Sequence, residues 1–411
     1  MSQNIREFLR RNIREYLRDE TGAEWAVFLI ALPFGVIGVY LPLYGRELGA
    51  SAFQVGALFT AFGLVGVFAR PLVGLAADRL GRRPFILAGA LAYALSAILC
   101  AASFTLPLLF ASRIAAGVGS ALFWVGTRAL LADLGRDGSR ARLFGRLVTA
   151  STTGASAGTV AGAGAVFLLG IVLGWRVVFV GFGLAGALAL ALLYRRVPTG
   201  MPPKAAPVAR RSSPAGLVFL LGVAFVVAAA YAMLVPIVLL YFKDRLGYSE
   251  FLLGVVFAPS AVVYALAPAR LGVLGDRYSR RVLIAGALLG SAVSSLFSSF
   301  APALLVLGAV WLMEALLVSA AVPAQEAVVS ELSGGDVRGR AYGFYAAATG
   351  LGGALGPLAG GWLYDNAGLA SPFWVNAAVL SLSAGLVLWK LPEARPAGRT
   401  ATVRVEADSP A

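Results

Sequence analysis

The sequence predicts an all-α membrane protein, with twelve transmembrane helices arranged as two parallel six-helix repeats. Three observations lead there. Hydrophobic residues make up 59% of the 411 and the mean hydropathy is +0.82, well above the roughly 45–50% apolar content of a soluble domain. Apolar runs long enough to cross about 30 Å of hydrocarbon recur along nearly the whole chain. Sliding the chain against itself by 198 residues aligns Gly49 with Gly247, Asp78 with Asp276, Arg82 with Arg280, Asp133 with Glu331, Gly154 with Gly352 and Gly158 with Gly356.

The apolar runs lie near 24–45, 52–76, 84–103, 106–129, 143–168, 173–194, 216–242, 251–275, 282–300, 303–328, 341–364 and 371–390. They are rich in Gly, Ala, Leu and Val and do not alternate with a period of two. Lipid admits only helices or closed barrels, because every backbone group must be paired internally, so these runs are helices. The 198-residue offset spans an even number of helices, so both copies enter the membrane from the same side, related by an axis along its normal.

The expected division follows. Residues 24–194 form the N-terminal six-helix bundle, 195–214 a cytoplasmic linker, 215–391 the C-terminal bundle and 392–411 a cytoplasmic tail. The linker holds five prolines and five cations, which resist helix formation and keep it in water. Residues 1–23 do not read as a signal peptide, because charges interrupt them throughout. Ile5, Phe8, Leu9, Ile13, Tyr16 and Leu17 fall at helical spacing opposite a face of arginines. That pattern suits either an amphipathic helix on an anionic leaflet or a frayed charged tail.

The net charge of +14 suggests nucleic acid in a soluble protein. Here the cations fall on alternate loops and on both termini, while the opposite loops carry little beyond Arg46, Lys243 and Arg245. By the positive-inside rule the basic face and both termini are cytoplasmic, in the inner (cytoplasmic) cell membrane. Basicity thus reports topology, and no nucleic-acid partner is expected. With no histidine and one cysteine, Cys100, the chain lacks His-based triads, His metal sites and any disulfide framework. No phosphate-binding Gly-x-x-x-x-Gly-Lys-Ser/Thr occurs, and none of the three lysines follows a glycine. No cofactor or metal is expected, and carboxylates are the remaining proton carriers.

Three motifs stand out. "GLAADRLGRRP" (74–84) packs Asp78, Arg79, Arg82 and Arg83 into six positions, and "GVLGDRYSRR" (272–281) repeats it. "RIAAGVG" (113–119) places an arginine four residues before a glycine, and "GASAGTVAG" (154–162) has a Gly-rich period. Together they resemble the major facilitator superfamily over about residues 20–392. The first is similar to that family's loop between helices 2 and 3, the second to its helix-4 pattern, and the third to the helix-5 motif of its antiporters. In the third, Thr159 stands where that motif has Pro; the Pro version appears as "GALGPLAGG" (353–361).

The resemblance implies a carrier of small-molecule substrates that works by alternating access, without catalytic residues. The expected reading is proton-coupled efflux; uptake of a sugar or metabolite is the alternative, and a receptor or enzyme on the same scaffold a remote one. It further implies that Gly74, Asp78, Arg79, Arg82 and Asp133 form a latch closing the cytoplasmic ends. Asp78 would face the N-terminus of helix 11, and Asp276, Arg280 and Glu331 would form the weaker twin. The alternative is that these charges only anchor a loop. Membrane-depth candidates for substrate or coupling are Arg113, Trp124, Trp311 and Glu314, either as a proton or cation site at Glu314 or as an Arg113–Glu314 pair. Tyr40, Tyr44 and Tyr231 are further cavity candidates. Arg128 and Glu326 occupy duplicate positions near the cytoplasmic ends and are the inner-gate candidates. A monomer in the bilayer is expected. The absence of acids within helix 1 argues against a multi-cation drug pump, while an apolar, aromatic cavity suits an amphiphilic drug or small metabolite.

Overall fold

Four glycines repeat the same turns in both halves. Gly49 and Gly247 carry φ of 81° and 65°, and Gly170 and Gly368 carry 75° and 105°. Members of each pair stand 198 residues apart. Left-handed backbone suits a residue without Cβ, so glycine at both members is what the turns require. The repeat in the sequence is therefore a repeat of backbone. The computed structural model describes residues 20–134, 140–197, 215–271, 278–300, 303–332 and 338–391. The N-terminal segment up to residue 19, most of the linker and the C-terminal tail lie outside the described residues.

The described elements are α1 (Glu20–Glu47), α2 (Ala52–Leu80), α3 (Arg83–Ala101), α4 (Leu106–Leu134), α5 (Arg140–Arg196) and α6 (Ala215–Leu234). They continue with α7 (Ile237–Leu246), α8 (Glu250–Leu271), α9 (Arg280–Phe300), α10 (Leu304–Leu332), α11 (Arg338–Asn366) and α12 (Ser371–Lys390). No strand occurs among the described residues. α5 is 57 residues long and breaks at Gly170 into two arms, the fifth and sixth crossings. The seventh crossing is divided into α6 and α7 at Pro236, whose missing N–H interrupts the helical ladder. Nine helices among the described residues are long and apolar enough to cross a membrane, one of them the 52-residue stretch Gly145–Arg196 with length for two passes. α8 adds the shorter apolar stretch Leu252–Tyr264. α11 is rich in glycine, and protein covers much of it.

Glycines set how closely the helices pack. A Cβ on Gly154 would lie 2.3 Å from the Phe28 carbonyl oxygen, and one on Gly158 only 1.9 Å from that of Leu32. In the second half Gly352, Gly356 and Gly360 sit equally tight on the Phe225, Ala229 and Met233 oxygens, at 2.2, 2.2 and 2.3 Å. The Gly-rich motif is thus a packing seam joining α1 to α5, with α6 to α11 as its copy. At the far end of each bundle an aromatic pair fills the core: Tyr44 stacks on Trp175 with centroids 4.5 Å apart, and its duplicate Phe242 lies 6.3 Å from Phe373. Such pairs contribute about 0.5–1.5 kcal/mol beyond their buried area. Tyr40 and Tyr44 are both buried in this core, Tyr44 with its hydroxyl on the Ser103 carbonyl, instead of lining an open cavity.

Candidate functional site

Among the described residues, the hydrogen bonds that join the halves cluster at the end where α1 stops and α2 begins. Arg46 donates to Asp244 at 2.9 Å and Lys243 to Glu47 at 3.4 Å, while Tyr364, from the same half as Asp244, donates to that carboxylate oxygen at 2.8 Å and steadies it. Arg46 and Asp244 are exactly duplicate positions in the repeat, 198 residues apart, so the pseudo-twofold brings opposite charges face to face. Both are about one-third exposed, at 31% and 33%, so the pair itself is worth at most about 1 kcal/mol.

Backbone geometry adds more. The first N–H groups of a helix lack intrahelical partners. At the start of α2, Ser51 Oγ accepts from the Gln54 N–H and the Gln54 side chain accepts from the Ser51 N–H. The Ala52 and Phe53 N–H groups donate to the Asp365 carboxylate of α11 at 3.2 and 2.8 Å. An acid from the second half therefore caps a helix of the first, at the positive end of its dipole. Gly56, Gly63 and Gly361 permit the approach: a Cβ on each would lie 2.1 Å from the Pro357 oxygen, 2.7 Å from the Ala354 Cβ and 2.3 Å from the Ala52 oxygen. Thr60 Oγ1 completes the seam by donating to the Ala354 carbonyl at 2.6 Å.

The contact between α2 and α11 continues as far as Val67 and Gly350. Beyond them, a Cβ on Gly74 or Gly343 would meet nothing within 4 Å. At this end Asp78 pairs with Arg82 at 2.5 Å, and Arg82 Nε also donates to Asp133 at 3.2 Å. Burial alone would lower the Arg82 pKa, but the hydrogen bonds that Arg82 donates to Asp78 and Asp133 outweigh it and raise it above the usual guanidinium value. Arg83 donates to the Tyr194 carbonyl at 2.7 Å, while Arg79 is exposed. Arg280 begins α9; Asp276 and the side chains of Glu326 and Glu331 lie outside the described residues. Arg128 is exposed, with no ion pair among the described residues.

Deeper in the first half, Trp124 Nε1 donates to the Tyr93 hydroxyl at 3.1 Å, and Ser120 bonds to the same hydroxyl. Arg113 is 5% exposed, with its guanidinium 4.6 Å above the Phe62 ring and its Nε without a partner. In the second half, Glu314 is half-buried on α10 without a hydrogen bond among the described residues, within electrostatic reach of Tyr231 and Tyr264. Arg113 and Glu314 do not pair. Trp311 donates to Ser298 at 3.2 Å and stands edge-on to Phe257. Tyr231 donates to Ser291 at 3.0 Å and faces a cavity of about 190 Å³ together with Gln325, Tyr345 and Thr349. Among the described residues no cluster of three metal-ligating side chains exists. Sequence reasoning missed Asp365, Asp244, Arg70 and Tyr93; of these, Asp244 carried a usable signal, its offset of 198 from Arg46.

The model of the Major Facilitator Superfamily matches residues 25–221 and 220–410. The chain belongs to this superfamily. It is accordingly a multi-pass membrane transporter and not an enzyme. Among curated relatives of this superfamily member, Quinolone resistance protein NorA of Staphylococcus aureus is 30% identical over 119 residues, 29% of this chain and 31% of that protein. Multidrug resistance protein 1 of Bacillus subtilis is 29% identical over 128 residues, 31% of this chain and 33% of that protein. The matched stretch thus spans about a third of each relative. Two solved superfamily structures share the fold. The human organic anion transporter MFSD10 (TETRAN) has 22% identity and a TM-score of 0.63, covering 90% of this chain and 99% of that one. A bacterial homolog of the human lysosomal transporter Spinster, in an inward-facing and unoccupied conformation, has 18% identity and a TM-score of 0.68, covering 92% and 95%.

Proposed function

We propose that the protein is a secondary active carrier of the bacterial cytoplasmic membrane, exporting a small amphiphilic solute in exchange for protons by alternating access. The observation that carries this reading is the asymmetry between the two ends. One is held shut by Asp365 on the α2 N-terminus and by Arg46–Asp244, while at the other, among the described residues, Asp78 engages Arg82 alone. The basic loops lie at the Asp78 end, which makes that end cytoplasmic by the positive-inside rule. The state is then inward-open. Because α2 and α11 run antiparallel, each ends in an acid near the other's N-terminus: Asp365 meets α2 outside, and Asp78 meets α11 once the inside closes. Closing one end withdraws the other's cap, and a carrier needs that exclusivity. The names of the quinolone- and multidrug-resistance relatives favour export. To test the function, everted vesicles containing the protein are energised, and a quinolone or a lipophilic cationic dye is added. Dissipation of the proton gradient on addition is expected, and its absence across such a panel rejects proton-coupled export.

Asp78→Asn is expected to insert and fold but to slow transport, because beside weakening the Arg82 pair of the present state it removes a helix-terminus interaction of roughly 0.5–2 kcal/mol that only the inside-closed state makes. An unchanged transport rate in well-expressed protein counts against the latch. Arg128 and Glu326 are proposed to meet as an inner gate in that same closed state, as Arg46 and Asp244 do outside. Arg128→Glu or Glu326→Arg alone leaves like charges opposed, so the double swap should transport better than either single variant. A double variant no better than the worse single one removes this gate.

A further inference from the structure

The first half carries charge that the mechanism above uses only at Arg128. Its membrane segments between Trp25 and Arg46, Ala52 and Ala77, Pro84 and Ala132, and Arg140 and Arg196 contain no Asp or Glu. Yet Arg70, Arg113 and Arg128 stand within them. Their duplicate positions hold Pro268, Trp311 and Glu326, so the repeat architecture does not ask for arginine at any of the three.

Arg70 and Arg113 have Tyr93 as a common neighbour. Gly56, Thr60, Gly63 and Val67 mark the face of α2 that meets α11. Arg70 continues that face one turn past the point where the helices part. It lies within electrostatic reach of Arg128 and Tyr93, and Tyr93 within reach of Arg113. Arg113 is buried with its Nε unpartnered, and neither it nor Arg70 nor Arg128 has an acidic partner among the described residues. Like charges at this depth repel, and a desolvated guanidinium is costly unless an anion meets it. The aromatic ring above which Arg113 sits offsets part of that cost. Beside the arginines Phe34 stands edge-on to Tyr93 at 5.6 Å and lies 6.4 Å from Trp124, so the cations border an aromatic wall.

We infer that Arg70, Arg113, Tyr93, Trp124 and Phe34 form a recognition site for an aromatic or amphiphilic monoanion, whose carboxylate or sulfonate engages the guanidinium groups while its ring lies on the aromatic wall. Planar guanidinium groups suit such oxyanions, which accept two parallel N–H bonds. The inference names a substrate class for the carrier proposed above and rests on that reading.

The test is equilibrium binding to purified protein in nanodiscs, by calorimetry, of 2-naphthoate, the neutral 2-naphthamide and 2-naphthylmethylammonium. The naphthoate is expected to bind roughly tenfold or more tighter than the amide, as a charge-assisted bond predicts, and the ammonium most weakly. Arg70→Gln and Arg113→Gln should each remove about tenfold of naphthoate affinity while sparing the amide. Arg83→Gln, at the surface, should change neither. Arg70 is exposed, so Arg70→Gln tests the site even if Arg113→Gln does not fold. Equal affinity for naphthoate and amide, tightest binding of the ammonium, or an Arg70→Gln variant that binds naphthoate like wild type overturns the inference. No pH gradient is present in this measurement, so its failure leaves proton-coupled export standing, and the vesicle experiment can fail without touching this binding.

Discussion

Glu314→Gln is expected to reduce substrate flux driven by a pH gradient to the level of protein-free liposomes, while substrate exchange without a gradient continues. Glu314 stands on α10 without a hydrogen-bonded or ionic partner among the described residues, near Tyr231 and Tyr264. A lone carboxylate at membrane depth is costly when charged, and protonation removes that cost, so the group is suited to take up a proton and release it as its surroundings change. Glutamine keeps the shape of the protonated form and loses the cycle. Gradient-driven flux that survives in Glu314→Gln moves the coupling site elsewhere, and loss of exchange as well makes Glu314 part of substrate binding.

The second large effect concerns Gly56. Leucine there would push into the Pro357 carbonyl, 2.1 Å from where its Cβ must sit. Overpacking of this kind costs roughly 1–3 kcal/mol. On the alternating-access proposal α2 and α11 touch here only when the outside is closed, so the cost falls on one state and shifts the balance toward outward-open by about 5- to 150-fold. Thr60, buried in the present state, reports it. An impermeant maleimide added outside should label Thr60→Cys rapidly in the Gly56→Leu background and slowly without it. Gly158→Leu makes a similar clash, 1.9 Å from the Leu32 oxygen, but inside one half, where both states share the seam. That variant should lose folded protein instead of changing labelling, and equal behaviour of the two variants would contradict the distinction.

Much of this was legible in the sequence because it recurs locally. Helices followed from apolar run length, and the 198-residue offset paired Gly49 with Gly247, which share a left-handed turn in the structure. The short spacing of Asp78 and Arg82 made their proximity readable. What escaped was long-range and single. Asp365 reads as a solvated acid at a helix end; only folding brings it to the α2 N-terminus, 312 and 313 residues away along the chain. The Gly-rich stretch 154–162, similar to an antiporter motif, packs α5 against α1, a partner that its spacing does not name. Pairing of duplicate positions suggests Arg128 with Glu326, whose side chain lies outside the described residues; among the described contacts the same rule joins Arg46 to Asp244. Arg70 gave no signal because nothing in its neighbours shows that α11 diverges beside it.

The central claim is that the Glu47 end must open and close in every transport cycle. A Cβ on Gly63 would lie 2.7 Å from that of Ala354, so a small relaxation brings a cysteine pair to the roughly 3.5–4.5 Å of a disulfide. The deciding measurement is transport by Gly63→Cys/Ala354→Cys protein in the Cys100→Ala background, reconstituted once and assayed reduced, oxidised and reduced again. The account predicts transport when reduced, none when cross-linked and recovery with reductant. Cross-linked protein that transports at the reduced rate would contradict it.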